Sequence, residues 1–294
     1  MNVLQAIGNT PLLKINEHVY AKLETLNPSG SIKDRIAKYI IEKAMERGDL
    51  NAGDTMVEAT SGNTGIGFSM VAAVLGLNMV VVMPCNMSEE RKQMIKCFGA
   101  KIVEVGKGDF VGAAKKAHEI AQENDYFEPL QFQNQENTQC HYEMTAGEIL
   151  EQLPSNIQIG AVVAGTGTGG TLMGVGQRMK EKFTDVKIIG VEPTESAVMR
   201  GEAPGDHNIQ GIGDGFIPDL VNMNKVDEVM IVSTEEAMHE THNLAKKHGI
   251  FVGISSGANI LCAKKAAKKY GDIITFLPDR GERYLSILAC SKGE

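Results

Sequence analysis

Thr55-Met56-Val57-Glu58-Ala59-Thr60-Ser61-Gly62-Asn63-Thr64-Gly65 passes from a short apolar run into a turn rich in hydroxyls and glycine. Thr55 to Ala59 has strand character, and Ile66 to Leu75 reads as the helix that follows the turn. Gly76 ends that helix, Met79-Val80-Val81-Val82-Met83 is the next strand, and Pro84 stops it. Ser88-Glu89-Glu90 caps another helix running to Phe98, with acids in its first turn as the dipole favours. Gly99 closes it, and Lys101 to Val105 is a third strand. This β-α-β-α-β alternation predicts an α/β fold with a largely parallel sheet.

The pattern returns downstream. Ala161-Val162-Val163-Ala164 is a strand, and Gly165-Thr166-Gly167-Thr168-Gly169-Gly170-Thr171 is a second glycine-rich loop. A helix over about Leu172 to Phe183 and a strand over Lys187 to Val191 follow. Ser233-Thr234-Glu235-Glu236 is a capping box for a helix ending near Gly249. Two α/β units predict two domains with a cleft between them.

The chain has 294 residues, 43% hydrophobic content and a net charge of -8, which disfavours nucleic acid and acidic membranes as partners. Met1 to Pro11 lacks a basic start followed by an apolar run, so no secretory signal is expected. No apolar stretch is long enough to predict a membrane span. Cys85, Cys97, Cys140, Cys262 and Cys290 form no CxxC pair, which fits a reducing cytoplasm.

Asn27-Pro28-Ser29-Gly30-Ser31-Ile32-Lys33-Asp34-Arg35 opens into a helix with Ile36, Ile40 and Ala44 on one face and Gly48 at its end. Lys33 then meets the positive end of a helix dipole, a poor place for a surface cation. A lowered pKa there would make it a better nucleophile and base. Taken alone, a solvated lysine is the simpler reading. The Thr60–Gly65 loop follows a strand and precedes a helix, so its amides and hydroxyls suit a carboxylate; a plain tight turn is the alternative. The Gly165–Thr171 loop suits a phosphate monoester. It also matches GxGxxG, and Glu192 stands about where a dinucleotide site wants an acid. Lys33 and the first loop would have no role in that second reading. A lysine at a helix start with two anion cradles is what pyridoxal 5'-phosphate (PLP) requires.

Together these segments resemble the fold-type II PLP enzymes of the cysteine synthase (O-acetylserine sulfhydrylase) family, with cystathionine β-synthase as a relative. The resemblance begins at Ile7-Gly8-Asn9-Thr10-Pro11-Leu12 and takes in Asn27 to Arg35 and Thr60 to Gly65. Pro84, Ser88 to Arg91, Gly99-Ala100, Gln131-Phe132 and Gly165 to Thr171 extend it. Gln210-Gly211-Ile212-Gly213, Gly253 to Ala258 and Gly281 to Ser286 complete it. It implies two three-layer α/β domains with mostly parallel twisted sheets, as in the tryptophan synthase β chain, and an active site in the cleft between them. Residues 27–134 would form the small, mobile N-terminal domain. Residues 1–26 and 135–294 would form the large domain that carries the phosphate loop.

The resemblance also implies roles. Lys33 would bond PLP covalently and then move the substrate's α-proton. Asn63 would hydrogen-bond the cofactor's ring oxygen, and Gly167, Thr168, Gly169, Gly170 and Thr171 would hold its phosphate. Ser255 would face the pyridine nitrogen, with Ser256 as fallback. Thr60, Ser61, Thr64 and Gln131 would bind the substrate carboxylate. A neutral hydroxyl at the ring nitrogen favours loss of a β-leaving group over transamination. The implied reaction is β-replacement through an aminoacrylate, O-acetylserine plus sulfide giving L-cysteine. A cytoplasmic homodimer is implied, with the tail of serine acetyltransferase as a partner.

Three departures bear on the substrate. Asp214 stands after Gly211-Ile212-Gly213, where these synthases usually carry a small residue. It would cap a turn, or it would activate water as a general base and turn the enzyme into a cysteine lyase releasing hydrogen sulfide and serine. Asp279-Arg280 is a charged pair resembling that of the thiosulfate-using isozyme, and means either a more polar acceptor pocket or a surface ion pair. The chain stops soon after Ser286, which weakens a full-length cystathionine β-synthase reading. Serine/threonine dehydratase shares the fold and is the further alternative. His239 and His242 have a metal-like spacing but no evident third ligand, and a solvated face is the simpler account.

Overall fold

The computed structural model describes residues 2–60 and 62–288. The chain opens with β1 (Leu12–Lys14) and β2 (Val19–Leu23), then α1 (Lys33–Arg47). There follow β3 (Thr55–Ala59), α2 (Asn63–Leu75), β4 (Asn78–Pro84), α3 (Glu89–Cys97), β5 (Lys101–Val105) and α4 (Phe110–Asn124). Then come α5 (Gln135–Cys140), a π-helical turn (His141–Thr145), α6 (Ala146–Gln152), β6 (Ile159–Gly165), α7 (Gly170–Lys182) and β7 (Lys187–Pro193). The last are β8 (Glu228–Val232), α8 (Thr234–His248), α9 (Ile254–Tyr270), β9 (Asp272–Leu277) and the short α10 (Leu285–Leu288).

These elements form two compact units, Met1–Gly8 with Asn27–Asn137 and Asn9–Leu26 with Thr138–Glu294. Met1–Gly8 thus groups with the first unit, whereas the sequence had grouped 1–26 with the second. The reason is local: Leu4 is buried, and the Gly8 amide donates to Asn27 Oδ1 at 2.9 Å.

The first unit is built on a parallel sheet of order β3-β4-β5. Central β4 is buried along Met79–Pro84, which is why its sequence is an unbroken apolar run. Ala113, Ala117 and Ala121 recur at helical spacing on α4 and pack against Val57, Val80 and Val82. Ser88 stands at the N-cap of α3 as expected, but its side chain makes no capping bond. The acids Glu89 and Glu90 in the first turn supply the helix start instead.

The second unit has a six-stranded sheet of order β1-β2-β9-β6-β7-β8, parallel except for β1 against β2. Successive strands β6, β7 and β8 run outward in one direction, and β9 is added on the other side of β6. Strand order therefore reverses at β6/β9. In open α/β sheets ligands bind outside the carboxyl ends of the strands at such a reversal. The loop after β6 is Gly165–Thr171. The capping box at Ser233 forms as expected, with Gly249 left-handed at the far end of α8. Among the described residues no helix is long and apolar enough to cross a membrane.

Candidate active site

Within the first unit the Asn27–Arg35 turn is tied from inside. The Ser29 amide donates to Asp34 Oδ2 at 2.7 Å, and the Ser29 hydroxyl donates to the same carboxylate. Asp34 and Arg35 are fully buried, so the turn cannot drift, and Lys33 becomes the first residue of α1. Lys33 itself is half-buried. Gly67 of α2 explains how closely the two helices approach. A Cβ built there would lie 3.1 Å from the Lys33 carbonyl oxygen. The helix carrying Lys33 and the helix opened by the Thr60–Gly65 loop are therefore packed together.

That loop holds Thr60, Asn63 and Thr64; Ser61, the fourth residue assigned there, lies outside the described residues. Gly62 has φ +152 and α2 has no side-chain N-cap, so the amides of its first turn point out toward the loop. The Thr64 hydroxyl donates to Gln131 Oε1 at 2.7 Å, and Gln131 Nε2 donates to the Ala59 carbonyl at 3.1 Å. Thr64 and Gln131, far apart in sequence, are thus brought together.

Two groups here escaped the sequence reading. A Cβ on Gly62 would lie 2.9 Å from both Nε and Nη1 of Arg91, so a buried guanidinium sits against a loop that the sequence had read as binding a carboxylate through amides and hydroxyls alone. Its segment, Ser-Glu-Glu-Arg, was read as a helix start and as part of the resemblance, with no role for the arginine. The second is Glu58 on β3, whose carboxyl accepts the Gln131 amide at 3.3 Å. Burial pushes its pKa up to about 8, against the opposing pull of backbone hydrogen bonds from Gln131, Leu130 and Ala59. Leu130 has φ +54, a left-handed conformation costing about 1–2 kcal/mol in a residue with a branched side chain.

In the second unit, α7 begins at Gly170 after the N-cap Gly169, which has φ +83 and no side chain, and the Thr168 hydroxyl accepts the Gly170 amide at 3.3 Å. Its leading amides and dipole form an anion cradle. A Cβ on Gly167 would run into the Gly211 carbonyl and would come 3.9 Å from Asp214 Oδ2. The Gly213 amide donates to the Thr166 carbonyl at 3.0 Å. Asp214 is therefore set beside the glycine loop, on a turn whose flanking Gly213 and Gly215 have φ 69 and 85. Asn259 of α9 accepts the Gly165 amide at 2.7 Å and donates to the Phe276 carbonyl at 2.9 Å. This joins the loop to the helix whose first turn carries Ser255 and Ser256.

His141 is buried in the π-helical turn. Its ring lies 2.9 Å from Thr145 Oγ1 and 3.2 Å from Thr171 Oγ1, which fixes the last threonine of the glycine loop. Asp279 is buried too, which excludes the surface ion pair: Tyr284 donates to it at 2.5 Å, and Arg280 donates to the Thr25 carbonyl at 2.8 Å.

Glu192 rules against a dinucleotide. It sits buried on β7, and both of its carboxylate oxygens accept the Met199 amide at 3.0 Å, so it braces a turn. His242 donates to the Leu288 carbonyl at 3.2 Å, and no metal-binding group of three His, Cys, Asp or Glu forms among the described residues.

The sequence profile of pyridoxal-phosphate-dependent enzymes matches residues 3–279. The chain belongs to that family. Its cofactor is PLP, and it is an enzyme of the cysteine synthase type within the family. A cysteine synthase of Staphylococcus aureus is 45% identical over 97% of this chain and 95% of its own. The O-acetylserine sulfhydrylase (cysteine synthase) structure from Entamoeba histolytica has a TM-score of 0.92 and 40% identity, covering 100% of this chain and 91% of its own. A hydrogen sulfide-producing enzyme of Fusobacterium nucleatum has a TM-score of 0.94 and 42% identity, over 99% and 91%.

The residues present fit PLP. Thr166 Oγ1 and Ser256 Oγ are buried without a hydrogen-bond partner among the described residues, one in the glycine loop and one in the first turn of α9. An unmet buried hydroxyl costs about 1–3 kcal/mol, a cost a polar cofactor offsets. Gly167→Ala is expected to weaken cofactor binding by about tenfold to a hundredfold, because overpacking against the Gly211 carbonyl costs about 1–3 kcal/mol. Titrating PLP into the cofactor-free variant measures it; an affinity equal to the parent's would remove Gly167 from the cradle.

Proposed function

We propose that the enzyme carries out β-replacement on an activated serine, O-acetylserine plus sulfide giving L-cysteine. The observation that carries this is the packing of the Lys33 helix against the helix of the Thr60–Gly65 loop at Gly67. A base for the α-proton and a cradle for the adjacent carboxylate are thereby held in one rigid unit. Lys33 bonds the cofactor and moves the proton at the α-carbon. Thr60, Ser61, Thr64 and Gln131 bind the substrate carboxylate, and Asn63 donates to the cofactor's ring oxygen. Gly167, Thr168, Gly169, Gly170 and Thr171 hold the phosphate. PLP, when bound, supplies the electron sink for the α-carbon. Ser255 offers the pyridine nitrogen a neutral hydroxyl, with Ser256, whose buried Oγ has no partner among the described residues, as the alternative.

A second reading is favoured by Asp214 beside the glycine loop. The Fusobacterium nucleatum hydrogen sulfide-producing enzyme was solved with an α-aminoacrylate intermediate in a variant that replaces an aspartate by asparagine. If Asp214 activates water, cysteine is converted to serine and hydrogen sulfide. Offering O-acetylserine with sulfide, and then cysteine alone, with products identified by mass, separates the two. Asp214→Asn is expected to lower serine formation from cysteine by about a hundredfold or more, as for loss of a general base. Serine formation at the parent rate in that variant would sink the lyase reading. The proposal extends to a cytoplasmic homodimer that receives the tail of serine acetyltransferase, which sedimentation alone and with the tail peptide tests.

A further inference from the structure

We propose that Glu58 is a positioning residue for the substrate carboxylate: its buried carboxyl holds the Leu130–Gln131 backbone so that Gln131 meets Thr64. This rests on the assignment of Thr64 and Gln131 to the substrate.

The connection is continuous within the first unit. Glu58 lies on β3, two residues before Thr60, and is 5% exposed. It accepts the Gln131 amide at 3.3 Å, and the Leu130 backbone also bonds it. Leu130 is held at φ +54 with 43% of its side chain exposed, so hydrophobic burial does not explain the conformation. Its carbonyl accepts the amides of Gln133 and Asn134 at 2.9 and 2.8 Å, and Asn137 Nδ2 donates to the Gln131 carbonyl at 2.8 Å. The loop is thus clamped at both ends around Gln131. Its side chain then bridges the Ala59 carbonyl and the Thr64 hydroxyl. Glu58 acts on the loop through the Gln131 backbone.

The same geometry makes recognition depend on protonation. Glu128 is the charged group that presses on Glu58, and His118 of α4 holds Glu128 at 2.9 Å. The β4 residue in register with Glu58 is the uncharged Val81, and the α4 alanines Ala113, Ala117 and Ala121 pack on the opposite face of the sheet against Val57, Val80 and Val82. The charged group set at the adjacent loop is the buried Arg91 guanidinium against Gly62. With Glu58 protonated the cradle carries no buried anion. Ionisation sets a negative charge just beneath the groups that receive the substrate carboxylate, and the two repel.

The test uses the holoenzyme, the Glu58→Gln holoenzyme and L-alanine, an amino acid with no leaving group, by titration calorimetry from about pH 6.5 to about pH 9.5. Taking the ratio of parent to variant Kd cancels the titration of the ligand's own amine. The ratio is expected near unity at the acidic end and to rise about tenfold at the alkaline end. In Glu128→Gln, which removes the facing charge, the rise is expected to begin at lower pH. A ratio independent of pH, with Gln131→Ala weakening binding, overturns the role of Glu58. If Gln131→Ala binds L-alanine as tightly as the parent, the substrate assignment falls and Glu58 has nothing to position.

Discussion

Lys33→Ala is expected to lose about 10⁴-fold or more in turnover, roughly 5.5 kcal/mol of barrier, while still binding the cofactor. The two effects separate because the glycine loop proposed to hold the phosphate belongs to the second unit and Lys33 to the first. Under the proposed roles, removing the amine deletes the covalent attachment and the group that moves the α-proton. It leaves the start of α7 and its dipole intact. The variant should therefore take up PLP but release it on dialysis more readily than the parent. Small primary amines added to the solution should restore part of the proton transfer. A variant with more than about one hundredth of parent turnover would show that another base serves the α-carbon, since general base catalysis alone is worth at least that much. Folding is not at risk, because the turn is held by Ser29, Asp34 and the buried Arg35.

Features set by neighbours in sequence were legible before the structure. β3 and β5 have the predicted bounds because each is a short β-branched-rich segment closed by glycine-rich or polar turns. The capping box at Ser233 was legible because its donor and acceptor stand three residues apart. β2 was missed because it carries the fully buried Lys22, whose partner Glu148 at 2.8 Å lies 126 positions away. The start of α9 was read as a motif and not as a helix, since Ser255, Ser256 and Gly257 are poor helix formers. The structure supplies the reason for Gly257: any side chain would collide with the Ala237 carbonyl of α8. Arg91, His141, Asn259 and Glu58 escaped for the same reason as Lys22. Their chemistry is conferred by partners that only the fold brings near.

Glu58→Gln is expected to raise the stability of the protein at alkaline pH and to leave it nearly unchanged in acid. The carboxyl's pKa is 4.5 in the unfolded chain and about 8 in the fold, where burial outweighs its hydrogen bonds. Below pH 4.5 both states carry the proton and the group is neutral in its effect. Between 4.5 and 8 the unfolded chain releases the proton while the folded chain retains it, so stability falls as pH rises through that window. Above it both states are ionised and the loss is complete. The width of the window corresponds to on the order of 5 kcal/mol. A glutamine of the same shape carries no such penalty and can still accept the Gln131 amide. Urea midpoints of parent and variant should thus coincide near pH 4.5 and diverge to a plateau near pH 8. An equal gap at both ends would mean that Glu58 is not held protonated in the fold. The direction matters for the role of the residue. A side chain that lowers stability over most of the neutral range, yet fixes a strained Leu130 and orients Gln131, is kept for the geometry it imposes on the carboxylate cradle and not for the stability of β3.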